Sequence, residues 1–158
     1  MRINNARVKN TIVSVYFILI VLTLTFLFVF KTFSEGASNP FLLFSSVALG
    51  FAALFFIVHF ISKYFEYDSD GVKVVVTNKG LMFSDKFNYR EHKLEYDKKQ
   101  LYAYKFKNYI IYRTLVFYIK DRHGNKQKHS FNVTLVTRKK RGYIRQSLRK
   151  MIKANKKE

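Results

Sequence analysis

Two unbroken apolar runs and one long alternating stretch divide this chain. Thr11 to Phe30, TIVSVYFILIVLTLTFLFVF, holds fifteen Leu, Ile, Val or Phe in twenty residues and no charge. Phe41 to Ile61, FLLFSSVALGFAALFFIVHFI, is a second run of the same kind. At about 1.5 Å per residue, twenty helical residues cover the roughly 30 Å hydrocarbon core of a bilayer. At about −0.3 to −0.6 kcal/mol per such residue, insertion of the first run is favoured by roughly 5–9 kcal/mol. KTFSEGASNP links the runs, with Gly36 and Pro40 as breaks, so two spanning helices form an antiparallel hairpin. A cleaved signal peptide is the rival reading of the first run. Its length exceeds the usual apolar stretch, and GAS before Asn39 is a poor cleavage site.

After the second run the period becomes two, as in strands. Lys63 to Tyr67 reads as an interfacial aromatic exit from the membrane. Asp68-Ser69-Asp70-Gly71 reads as a turn; it lacks the later acidic ligands of a calcium loop. Val72, Val74 and Val76 alternate with Lys73, Val75 and Thr77, and Asn78-Lys79-Gly80 reads as the next turn. Leu81 to Phe83 starts again, and Phe87 with Tyr89, then Leu94 with Tyr96, keep the alternation. Tyr102, Tyr104 and Phe106 follow, and Tyr109 to Ile119 is rich in β-branched and aromatic residues. DRHGN reverses the chain before Phe131, Val133 and Leu135. Short strands with polar turns predict an antiparallel sheet or small barrel, with the aromatic stripe as its core. Thr137 then caps a helix whose Ile144, Leu148, Met151 and Ile152 form one apolar face.

Charge sharpens this division. Residues 64–158 carry 24 basic and nine acidic side chains, a net of about +15. Arg2, Arg7 and Lys9 precede the first span, Lys63 follows the second, and the link holds only Lys31. The positive-inside rule therefore places both termini in the cytoplasm. The expected organisation is a cytoplasmic N-terminus at 1–10, a transmembrane hairpin at 11–63 and a basic cytoplasmic domain at 64–158. With no Cys, thiolate metal sites, disulfides and a Cys nucleophile are excluded. His59, His92, His123 and His129 show no zinc spacing, and no phosphate loop or nucleophile elbow is present. No cofactor, metal or small-molecule substrate is expected, and the chain does not read as an enzyme. His59, near the cytoplasmic end of its span, reads as a neutral group at headgroup level.

Two sets of residues are candidates for binding. Ser46, Gly50 and Ala53 fall at i, i+4, i+7, with Ala48 and Ala52 beside them. Small residues let helices approach closely in lipid. This face either packs on the first span or docks another membrane protein. In the tail, Arg138, Lys139, Lys140, Arg141, Arg145, Arg149, Lys150 and Lys153 meet an anionic leaflet, an acidic protein or structured RNA such as ribosomal RNA, or they only solvate a helix. Enrichment in Lys, Asn, Phe, Tyr and Ile also follows from AT-rich codons.

Strands followed by one C-terminal amphipathic helix resemble the pleckstrin-homology-like (PH-like) domains of small bacterial membrane proteins. YDSDGVKVVVTNKGLMF resembles an uncharacterised bacterial family of two-span proteins. The Trp frequent in such domains is absent, and Leu94 to Asp97 stands in its place. The resemblance implies an α+β membrane protein of the bacterial inner membrane, with a PH-like domain that assembles or interacts without chemistry. The expected function is an accessory or scaffold subunit of a membrane complex. The alternatives are a membrane-tethered nucleic-acid or ribosome binder and an immunity protein against a toxin.

Overall fold

The computed structural model describes residues 1–34, 38–81, 92–121 and 124–156. Two compact units emerge: residues 1–8 with 61–158, and residues 9–60. The fold is α+β, with two long apolar helices, two antiparallel sheets and a C-terminal helix.

The smaller unit is made by α1 (Val8–Ser34) and α2 (Pro40–Ile61). Val8–Phe30 and Pro40–Ile61 span 23 and 22 residues and are long and apolar enough to cross a membrane. Asn39 caps α2, its Oδ1 accepting from the Leu42 N–H at 3.1 Å, and Pro40 stands where a missing N–H costs nothing. Thr23 and Thr25 donate to the carbonyls of Leu19 and Val21, both at 2.8 Å, so these hydroxyls are satisfied on their own helix. Aromatic rings join the helices: Phe30 meets Phe44 edge-on at 5.1 Å, Phe26 meets Phe51 at 6.1 Å, and Tyr16 meets Phe55 at 6.1 Å. No residue of α2 is buried.

The larger unit is a sandwich. One sheet has the order β1-β2-β3-β4, from Arg2–Asn4, Lys63–Asp68, Lys73–Gly80 and His92–Asp97. The other has the order β5-β6-β7, from Leu101–Asn108, Arg113–Lys120 and Lys126–Asn132. A 3₁₀ turn at Lys98–Gln100 joins the sheets, and α3 (Arg138–Asn155) closes the unit. Phe65, Tyr67, Val74, Val76, Leu101, Leu115, Phe117, Phe131, Ile144 and Leu148 are fully buried in one cluster. Each such large apolar side chain contributes about 1.5–3 kcal/mol through burial.

Several expectations change. Lys63 to Tyr67 is not an aromatic exit but strand β2, because Phe65 and Tyr67 alternate with Tyr64 and Glu66 and turn into the core. Residues 1–5 are not a separate tail: β1 pairs with β2, Ile3 opposite Tyr67, and Ile3 is buried. Asn5 fixes this edge, its amide accepting from Phe65 N–H at 2.8 Å and donating to Lys63 O at 3.0 Å. Asn78-Lys79-Gly80 is no turn but the end of β3, paired with Phe65, Tyr64 and Lys63. Tyr109 to Ile119 is broken by a hairpin at Tyr109–Tyr112, and β6 begins at Arg113.

Other expectations hold. Ser69 to Gly71 lie in the bend between β2 and β3, with Asp68 ending β2, and Gly124, at φ 80°, turns the chain between β6 and β7. Thr137 caps α3, accepting from Lys140 N–H, and Ile144 and Leu148 are buried while Met151 and Ile152 pack against the core. At the far end of α3, Asn155 donates to the carbonyls of Lys98 and Leu101, both at 2.8 Å. Gly36, Met82, Phe83, Phe87, Tyr89 and His123 lie outside the described residues.

Candidate functional site

In the helical unit, Ser46, Ala48, Gly50, Ala52 and Ala53 are all exposed. The side of α2 that meets α1 is built instead from Phe44, Phe51 and Phe55. The small-residue face therefore does not pack on α1. A Cβ added at Gly50 would meet nothing within 4 Å. His59 is exposed in the last turn of α2.

In the sandwich, folding divides the basic tail into unlike groups. Lys140 reaches back to β1, its Nζ donating to Asn4 O at 2.6 Å. Lys139 is exposed and lines neither cleft described below. Arg149, Lys150 and Lys153 share a shallow cleft of about 260 Å³ with Gly142, Arg145 and Gln146, all on α3 itself.

Arg138, Arg141 and Arg145 form a fourth group. Their spacings of three and four residues put them on one helix face. With Arg113 of β6 and Phe106 and Asn108 of β5, they line a cleft of about 460 Å³. Among the described residues no carboxylate lines it. Arg145 sits over the Phe106 ring at 5.3 Å, which orients its guanidinium. Arg141 is anchored by a 3.1 Å bond to Val136 O. Partial burial, then the neighbouring Arg113, Arg138 and Arg145, hold Arg141 below the usual arginine value. It keeps its charge at neutral pH. The three ion pairs among the described residues, Met1–Asp70, Arg2–Glu66 and Lys73–Glu95, all lie outside the cleft.

Sequence reasoning selected the helix arginines but missed Arg113, which is 25 positions away from Arg138. The fold brings it in through backbone bonds: Val133 N–H donates to Arg113 O, and Arg113 N–H donates to Thr134 Oγ1, both at 2.9 Å. It also missed the meeting of His92 and His129 from different sheets, with ring centroids 6.2 Å apart. His92 stacks on Phe131 at 4.5 Å. Among the described residues no three His, Asp or Glu gather as a metal site.

No family model, curated protein or solved structure matches this chain.

Proposed function

We propose that this protein is a two-span protein of the bacterial inner membrane with a cytoplasmic PH-like domain, acting as a non-enzymatic accessory or scaffold subunit. The observation that carries this reading is the outward placement of apolar side chains on α1 and α2. Phe28 is 91% exposed, Phe41 78% and Leu49 70%. Such a surface is costly in water and neutral in lipid.

Three features support the finer parts. Because β1 pairs with β2, both ends of the helical hairpin belong to one folded body, which fits an even number of crossings. Arg2, Arg7, Lys9 and Lys63 flank that body's side of the hairpin, so it takes the cytoplasmic face. Four strands, three strands and a closing helix are the order of a PH-like sandwich. The exposed Ser46–Gly50–Ala53 face takes a membrane partner, where close backbone approach gives the packing energy.

A photo-crosslinking residue at Ala53 of the full chain in native membranes tests the scaffold role. A discrete adduct with another membrane protein is expected there and not at Phe28. Equal labelling at both positions, by lipid alone, would count against a docking face.

A further inference from the structure

The hairpin between β5 and β6 ends in Tyr109-Ile110-Ile111-Tyr112, closed by the Tyr109 N–H donating to Tyr112 O at 2.8 Å. Tight turns ordinarily recruit Gly, Asn, Asp or Pro. Here two isoleucines occupy the tip, with Ile110 fully exposed at 105% and Ile111 at 53%. Neither takes a positive φ, and the flanking tyrosine rings stack at 4.5 Å. Turn chemistry does not call for these residues, and water disfavours them.

The tip adjoins the arginine cleft directly. Asn108 and Arg113, which pair at the base of the hairpin, both line it. The same end of the sandwich holds the points where the chain leaves for the apolar helices. Lys140, inside the arginine run of α3, bonds Asn4 O just before α1. Asn78 donates to Tyr64 O, just after α2, and at 3.1 Å to Asn132 O, which lies opposite Thr114 beside Arg113. Apolar tip, arginine cleft and both chain exits thus share one end.

We propose that this end is a lipid-docking site: the Tyr109–Tyr112 tip enters the headgroup layer of the anionic leaflet, and the cleft of Arg113, Arg138, Arg141 and Arg145 takes a headgroup phosphate. This rests on the two-span reading above. Guanidinium groups bind phosphate oxygens in forked pairs, and tyrosine favours the membrane interface. The cleft volume falls in the range of about 300–1,000 Å³ that holds small ligands. The isoleucines favour lipid over a nucleic-acid or acidic-protein partner, since only a bilayer offers them an apolar layer beside phosphates.

The chain contains no Trp, which makes a single introduced indole a clean reporter. Ile110→Trp and, separately, Phe28→Trp are placed in the full chain and reconstituted in phosphatidylcholine vesicles with or without phosphatidylglycerol, using brominated acyl chains as quenchers. The expected result is blue-shifted, bromolipid-quenched emission from Ile110→Trp, stronger with phosphatidylglycerol. Adding Arg113→Glu, Arg138→Glu and Arg145→Glu, all at exposed positions, lowers the docked fraction about ten-fold or more. The corresponding three Arg→Lys changes keep the charge but lose the forked contacts, and leave an intermediate docked fraction. Phe28→Trp is quenched in every case. If Phe28→Trp is quenched while Ile110→Trp remains open to aqueous iodide, the docking site is overturned and the two spans stand. If neither is quenched, the two-span reading falls as well. An Ile110→Trp signal that responds to inorganic pyrophosphate or to RNA, but not to brominated lipid, overturns lipid as the occupant.

Discussion

The two units of this chain put apolar surface to opposite uses. In the sandwich, Phe65, Phe117 and Phe131 are fully buried and lysines and arginines coat the outside. In the hairpin, Phe28, Phe41 and Phe56 point outward, and the inter-helix seam is a line of rings from Tyr16 to Phe30. One turns its large apolar side chains inward; the other turns most of them outward. The contrast teaches where each unit stores its stability. On the proposed two-span reading, the sandwich depends on what it hides and the hairpin on the lipid around it.

Substitutions that invert this logic have the largest effects. Ile20→Lys together with Leu24→Lys adds about 6–8 kcal/mol to insertion of the first helix, enough to cancel its favourable term. With Leu49→Lys and Leu54→Lys added to disable α2 as well, the fraction of protein resisting carbonate extraction should fall sharply, and unchanged extraction would break the contrast. Next comes Phe65→Ala, which opens the sandwich core and costs about 3–5 kcal/mol in unfolding of the full chain in detergent. Phe28→Ala, on the outside of the hairpin, should cost less than about 0.5 kcal/mol in the same measurement.

Smaller effects probe polar groups within the sandwich. Asn78 bonds Tyr64 O and both backbone groups of Asn132, so it ties one sheet to the other. Asn78→Ala should cost about 1–3 kcal/mol, read from the unfolding midpoint. Tyr96 is the converse case. Its hydroxyl is buried with no hydrogen-bond partner among the described residues, and burial holds its phenol well above the ordinary value. Tyr96→Phe should leave stability unchanged or raise it by up to about 1 kcal/mol.

The smallest effect is a pH slope. Burial first, and His92 second, hold His129 below its ordinary value of 6.5. The unfolded chain therefore takes up this proton at a higher pH than the folded one. Stability from this source is complete above 6.5 and declines as pH falls through 6.5 toward the lowered folded value. Thermal melts between about pH 7.5 and 5.5 should show a shallow fall that His129→Gln flattens.

Much of this architecture was legible in the sequence where a single strong period governed it. The apolar runs of α1 and α2 and the Ile144–Leu148 face of α3 needed no tertiary context, and Thr137 announced its helix by side-chain chemistry. Strands were harder to read. β1 is three residues long and shows no period of its own, since its pairing partner lies beyond both helices. The aromatics of β2 look the same whether they meet a membrane interface or a core. The β5–β6 turn was hidden because Ile110 and Ile111 occupy positions that polar residues usually hold. For the arginine cleft, helix periodicity supplied three members, and only strand pairing between β6 and β7 brought the fourth.

The pairing of β1 with β2 has a consequence for synthesis. Arg2 pairs with Asp68, 66 residues later, so the ribosome releases the first strand about 3–13 s before its neighbour at 5–20 residues per second. Throughout that interval both intervening helices must be made. This edge of the sheet thus cannot close until both helices have been made, and its closure marks their arrival. A nascent chain stalled between them would carry an unpaired strand that quality-control proteases could recognise.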